Sequence, residues 1–192
     1  HTLEALGFRV KLGANVYKDT YGYLASEWER ADEFNAMVCD ESVDMVLFGG
    51  GEGANELLPL LDYEAIALRP NLYCSFSDGT TILNAIYAMA GLSVYYGQGP
   101  GMFCDLRHYD YTQFFSHFVE GNAETFVKNS PWRTLHGGAC EGTLIGGYTA
   151  NFALLLGSRY FRHDKTKKYI LFLEDHEKFS SVAHVSSLLS HI

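Results

Sequence analysis

Between Asn71 and Ala90 the chain changes its period, and no other stretch limits the available folds as much. Leu72-Tyr73-Cys74-Ser75-Phe76 is a short apolar and aromatic run behind Pro70 and Asn71, the pattern of a buried strand. Ser77-Asp78-Gly79 interrupts it. From Thr80 onward Ile82, Leu83, Ile86, Met89 and Ala90 recur at helical spacing, and Gly91 follows where a helix C-terminus favours it. The chain must therefore turn sharply from strand into helix at Ser77.

A serine on such a turn is lifted out of the sheet, with its hydroxyl toward open space beside the positive end of the helix dipole. Small neighbours make the turn possible. Ser75 and Gly79 meet that need, so Ser75-Phe76-Ser77-Asp78-Gly79 is a near relative of the G-x-S-x-G nucleophile elbow. Serine is also favoured as an ordinary helix N-cap whatever the function. The local pattern leaves both readings open.

The surrounding chain alternates short strands and helices. Thr2 to Leu6 reads as the end of a helix and Phe8 to Leu12 as a strand. Ser26 and Glu29 form a capping box before a helix whose Trp28, Ala31, Phe34, Met37 and Val38 fall on one stripe. Val43 to Phe48 is an apolar strand followed by Gly49-Gly50-Gly51-Glu52-Gly53. Ala54 to Leu60 and Asp62 to Leu68 read as short helices, and Ser93 to Tyr96 as the strand after the Ser77 unit. Short alternation of this kind means βαβ units and a parallel, Rossmann-like sheet, with ligands beyond the carboxyl ends of the strands. The glycine run and Ser77 both leave such ends.

Past residue 100 the texture changes. An aromatic and histidine-rich stretch, with Tyr111 to Val119 helical and Trp132 in a loop, reads as a linker over residues 101–135 between an amino-terminal domain (1–100) and the start of a second, smaller α/β domain (136–192). In that part Thr143 to Gly147 is a short strand, Ala150 to Leu156 a buried helix, Lys168 to Leu173 a strand delivering Glu174 and Asp175, and Phe179 to Ile192 an amphipathic helix. The chain begins without methionine and reads as truncated at both ends.

With 23 acidic and 14 basic residues, a net charge of -9, the chain lacks the basic stripe that nucleic acid or an anionic membrane requires. Cys39, Cys74, Cys104 and Cys140 are far apart and form no C-x-x-C, which points to a reducing, cytoplasmic setting rather than to a disulfide framework. No apolar run is long enough to span a membrane. No metal-ligand spacing occurs, and neither a metal nor another cofactor is expected.

A serine nucleophile needs a base, a carboxylate to orient the base, and backbone N–H groups for the oxyanion. The glycine run offers bare backbone, and the amide of Asp78, next after the serine, is the usual elbow donor. The run also matches a loose dinucleotide pattern through Ala54, or simply a tight turn. Glu174 is the best-placed carboxylate, although on the residues alone a solvated helix start stabilised by the dipole is the stronger reading of Glu174-Asp175. His136, His163, His176, His184 and His191 lie in no signature, and His136-Gly137-Gly138 follows the serine instead of preceding it as in lipases.

Gly50-Gly51-Glu52-Gly53-Ala54-Asn55-Glu56-Leu57-Leu58-Pro59-Leu60-Leu61-Asp62-Tyr63, Phe76-Ser77-Asp78-Gly79-Thr80, Gly91-Leu92, Tyr96-Gly97 and Ile170-Leu171-Phe172-Leu173-Glu174-Asp175 together resemble the LD-carboxypeptidase family of serine peptidases, which includes the microcin C self-immunity peptidases. The resemblance implies Ser77 as nucleophile, Glu174 as the carboxylate of a Ser-Glu-His triad, and the amides of Gly51 and Asp78 as oxyanion hole. Gly50, Glu52 and Trp132 are the candidate substrate-binding residues. The family's histidine lies in a later segment without counterpart here, so the chain alone is expected to be inactive. Gly49-Gly50-Gly51 stands where the family often has Arg-Gly-Gly, Ser75-Phe76-Ser77-Asp78 where it has Gly-Tyr-Ser-Asp, and Gly146-Gly147-Tyr148 where it has Gly-Gly-Asn. The lost arginine removes a clamp for a substrate carboxylate. Asn55-Glu56-Leu57-Leu58 and Tyr96-Gly97 lean toward the immunity branch.

The implied activity is cleavage of an amide near a free carboxyl terminus, in a murein tetrapeptide or a peptide-nucleotide antibiotic. Trp132 and the aromatics from Tyr109 to Phe118 would stack a nucleobase, or else serve as core or as a homodimer surface. Two other classes fit the same residues: a non-catalytic anion- or peptide-binding α/β module, and an unrelated α/β esterase.

Overall fold

The computed structural model describes the chain except positions 1, 50, 98, 105, 106, 123, 124 and 177–179, and the side chain at 102. A short helix α1 (Thr2–Ala5) comes first. The Ser26 hydroxyl accepts from the Glu29 amide at 3.3 Å while Glu29 accepts from the Ser26 amide at 2.9 Å, and this reciprocal cap starts α2 (Glu27–Cys39). Strand β1 (Met45–Leu47) leads through the glycine run to α3 (Ala54–Leu57) and α4 (Tyr63–Leu68), the latter capped by Asp62. Strand β2 (Leu72–Ser75), one 3₁₀ turn at Ser77–Gly79, α5 (Thr80–Ala90) and β3 (Tyr95–Tyr96) follow. After the aromatic helix α6 (His108–Phe114), continued by a π turn at Phe115–Val119, come β4 (Thr143–Tyr148), α7 (Thr149–Leu155), β5 (Tyr169–Glu174) and α8 (Val182–His191).

Both sheets are parallel. Three strands run in the order β1-β2-β3, with Leu47 opposite Cys74 and Ser75 opposite Tyr96; β4 and β5 form the second sheet, with Tyr148 opposite Glu174. The strands that precede the glycine run and Ser77 are therefore direct neighbours. Helix α5 joins the two sheets, which is why its first seven residues, Thr80 to Ile86, are all buried. Ile82, Leu83 and Ile86 pack with Phe34, Val46 and Tyr73, while Ala85 packs with Phe152 and Leu155 of α7. Burying a side chain of this size contributes about 1.5–3 kcal/mol, and the helix spends that burial on both faces. The elbow is fixed between two packed layers.

Two expectations from the pattern do not hold. Residues 8–12 form no strand, and Val10 and Leu12 are exposed. Alternation sets which face a strand would bury, but a strand also needs a partner ladder, and none lies beside this segment among the described residues; Phe8 packs instead edge-on against Phe114, at 5.8 Å. Trp28 is 59% exposed. At 3.6 residues per turn it sits roughly 90° from the centre of the Ala31-Phe34-Val38 stripe, on the border of the buried face. Several elements are shorter than their apolar runs, β1, α3 and β3 among them, and Phe179 lies outside the described residues.

Candidate active site

Ser77 has φ +53°, the one described non-glycine residue with positive φ. Left-handed backbone costs an L-residue about 1–2 kcal/mol, a strain retained where the surrounding packing over-determines it. Here the packing is tight. A Cβ on Gly79 would lie 2.0 Å from the Ser75 hydroxyl oxygen, and that hydroxyl is itself anchored, donating to the Phe48 carbonyl at 2.9 Å. Phe48 returns the tie by donating its amide to the Cys74 carbonyl at 3.2 Å. The residues two before and two after Ser77 are thus small because they occupy each other's space, and the carboxyl ends of β1 and β2 are locked where the chain turns.

The carboxyl ends of β3 and β5 meet at the same point. The Ser77 amide donates to Tyr96 Oη at 2.9 Å, and Tyr96 Oη donates to Glu174 Oε1 at 2.5 Å. A Cβ on Gly147 would lie 2.9 Å from Tyr96 Cε2 and 2.6 Å from Thr80 Oγ1, so glycine there admits the ring. Burial pushes the Tyr96 phenol well above its ordinary range and the carboxylate bond pushes it further, while the Ser77 amide and the Thr80 hydroxyl act the other way. The phenol is therefore a neutral donor at physiological pH. The Thr149 hydroxyl holds the Glu174 carbonyl at 2.8 Å, and Thr80 Oγ1 accepts from the Tyr148 amide at 2.8 Å.

The Asp78 side chain ties the turn to the glycine run. Its Oδ2 accepts from the Ala54 amide at 2.8 Å, at the start of α3, and its Oδ1 accepts from Asn151 of α7. Burial raises its carboxyl above the usual range, opposed by these two bonds and by the nearby Arg30 guanidinium. Arg30 also donates to the Gly53 carbonyl at 3.1 Å and pairs with Glu56. The loop from Gly51 to Gly53 is thereby braced from two sides against the serine turn.

Gly51 (φ +142°) and Glu52 lie exposed on that loop; Gly50 lies outside the described residues. Trp132 is 79% exposed within residues 125–142, all of them exposed. The aromatic stretch behaves differently from a stacking platform: Phe114 is buried, with Phe103 at 4.9 Å and Phe118 at 4.9 Å. Among the histidines, His163 packs on Tyr169 and His117 stacks on Phe126. Among the described residues no three His, Cys, Asp or Glu side chains are grouped as a metal ion would need, and no helix is long and apolar enough to cross a membrane. Residue patterns missed the roles of Tyr96, Asn151 and Asn84. The signals existed: Tyr96 ends the parallel strand beside the one that Ser77 follows, and an asparagine on a buried helix face requires a partner, which Asn84 finds in the Gly146 carbonyl at 2.8 Å.

The fold is parallel α/β, with a left-handed serine at a strand-to-helix turn linked through Tyr96 to a carboxylate, all at the carboxyl ends of the strands, where such sheets hold their ligands. More narrowly, the chain belongs to the LD-carboxypeptidase family, whose N-terminal domain model matches residues 1–97. A Treponema pallidum protein whose name provisionally places it among the carboxypeptidases is 30% identical over 92% of this chain and 58% of its own length. The microcin C7 self-immunity protein MccF of Escherichia coli is 36% identical over 50% of this chain and 28% of its own. The structure of MccF in complex with aspartyl sulfamoyl adenosine superposes 98% of this chain on 64% of that one, with a TM-score of 0.78 and 27% identity. Muramoyltetrapeptide carboxypeptidase from Oxalobacter formigenes does so over 98% and 63%, at 0.77 and 25%. The chain spans 58% to 64% of the length of three curated relatives.

Proposed function

We propose that the protein is a serine peptidase that cleaves an amide near a free carboxyl terminus through an acyl-enzyme on Ser77. The observation that carries this reading is the left-handed Ser77 on its turn, linked through one phenol to Glu174. Ser77 Oγ attacks the carbonyl carbon, its proton passes to a base, and the amine leaves carrying that proton; water then frees the acid. The Gly51 and Asp78 amides hold the oxyanion, aided by the positive end of α5. Glu174 orients the base, a histidine, and stabilises its cation. None of the chain's own histidines is assigned to that role. Residues 1–100 act as the nucleophile domain, 101–135 as a linker, and 136–192 as the start of the carboxy-terminal domain.

The substrate in this reading is a murein tetrapeptide or a microcin C-like peptide nucleotide. Glycine in place of the carboxylate-clamping arginine, and the exposed Trp132 available to stack a base, favour the peptide nucleotide. Gly50 and Glu52 are the further substrate-binding residues of this reading.

The test compares wild type with S77A in the full-length protein on a murein tetrapeptide and on aspartyl sulfamoyl adenosine, with products read by mass spectrometry. Serine-dependent release of terminal D-alanine supports the murein arm, and release of the nucleotide portion supports the other. Cleavage of neither, with S77A binding both compounds as wild type does, overturns the peptidase reading in favour of a binding module.

A further inference from the structure

The Ser77 amide is the donor an elbow does not need for its oxyanion, since the following residue supplies that one. It points at Tyr96 Oη, and the phenol has one proton, which goes to Glu174. From these contacts we infer that Tyr96 is a positioning residue, setting Glu174 and the Ser77 turn relative to each other through a single hydroxyl; the inference rests on the peptidase reading above.

Three features support it. The ring is held on its own strand by tilted packing against Phe172 of β5, at 5.6 Å, and Gly147 of β4 leaves room for its edge. The phenol stays protonated because it is buried and faces a carboxylate, so the direction of donation is fixed. Glu174 Oε1 is committed to Tyr96, which orients the carboxylate and leaves its second oxygen for the base. The ends of β3 and β5 and the turn after β2, drawn from two sheets, thus converge on one oxygen atom. The titratable groups facing this point are Tyr96, Glu174 itself, and Tyr148 with its neighbour Asp175.

A purely structural tyrosine would lose stability when truncated, and a positioning tyrosine would lose turnover. The variant is Tyr96→Phe, which keeps the ring; Tyr95→Phe, whose ring packs on Phe118 on the neighbouring residue, is the control. In the full-length protein Y96F should lower kcat by about 10- to 100-fold with KM within about twofold, the range expected when reacting groups are misplaced by an ångström or less. Y95F should match wild type.

An activity-independent readout separates this from the peptidase reading. Glu174→Gln should move the Ser77 amide resonance in wild type, since the carboxylate polarises the phenol that accepts from that amide, and should leave it in place in the Y96F background. Persistence of the shift in Y96F, or an unchanged kcat, overturns the proposal. Failure of wild type to turn over either substrate and of Ser77 to react with a fluorophosphonate defeats the peptidase reading instead, and the amide resonance still decides whether Tyr96 couples the two residues.

Discussion

Gly79→Ala tests the packing that forces the serine turn. Gly79 itself has ordinary helical backbone, φ -60° and ψ -15°, so alanine is conformationally acceptable and any cost comes from space. The added methyl would lie 2.0 Å from Ser75 Oγ, 2.7 Å from Ser75 Cβ and 3.2 Å from Phe48 Cε2. Ordinary contact requires a displacement of more than an ångström, and the fully buried Ser75 cannot give way without breaking its bond to the Phe48 carbonyl. Overpacking costs about 1–3 kcal/mol and the lost hydrogen bond about 0.5–1.5 kcal/mol. For a chain of this size each kcal/mol lowers Tm by about 2–4 °C, so G79A should melt about 5–15 °C below wild type. S75G alone should cost about 1–2.5 kcal/mol from its hydrogen bond and added chain entropy. In S75G/G79A the methyl enters the emptied space, and the double variant should be about as stable as S75G. The coupling equals the cost of G79A alone, about 1.5–4.5 kcal/mol, and exceeds the roughly 0.5 kcal/mol within which independent sites add. Urea titration of all four proteins measures it. Additive costs, or a G79A that melts with wild type, would refute the reasoning.

Other outcomes follow from the same geometry. Ser77→Gly relieves about 1–2 kcal/mol of left-handed strain and adds about 0.5–1 kcal/mol of unfolded-state entropy, so calorimetry should find it at or slightly above wild-type stability while its activity vanishes. Asn151→Ala removes a donor to the ionised Asp78 carboxylate; its cost, about 1.5–3 kcal/mol near pH 7, should shrink as the pH falls and Asp78 takes up its proton. Asp78 itself is raised, so its folded form binds a proton that the unfolded form has released, and its contribution weakens as pH rises from 3.8 through that window and is flat above it. Glu29 behaves oppositely: Lys18 foremost, then Thr20 and Ser26, hold it at about 2, so its stabilisation is complete above 4.5 and lost as pH falls toward 2, and Glu29→Gln should flatten that acid limb in stability measurements.

What the residue pattern could reveal depended on the range of the interaction. The Ser26-Glu29 box, the Asp62 cap and the change of period at Ser77 involve residues within a few positions of one another, and local chemistry decides them. Segment 8–12 misled because its alternation describes a face, whereas a strand exists only with a partner that sequence does not display. Trp28 misled because helical spacing locates a stripe better than its edges. The pairing of β1 with β2 could be suspected from the glycine run and Ser77 both leaving strand ends. The bridge from Ser77 through Tyr96 to Glu174 could not, since it joins residues 19 and 78 positions apart and exists only once two sheets close on α5.

The most direct test of the account is the reactivity of Ser77 itself. Full-length protein and the S77A variant would be treated with a fluorophosphonate, and the adduct located by mass spectrometry of the digested protein. A single stoichiometric adduct on the Ser77 peptide of wild type, absent from S77A, is the result the account predicts. An unmodified Ser77, or equal labelling of both proteins at another residue, would contradict it.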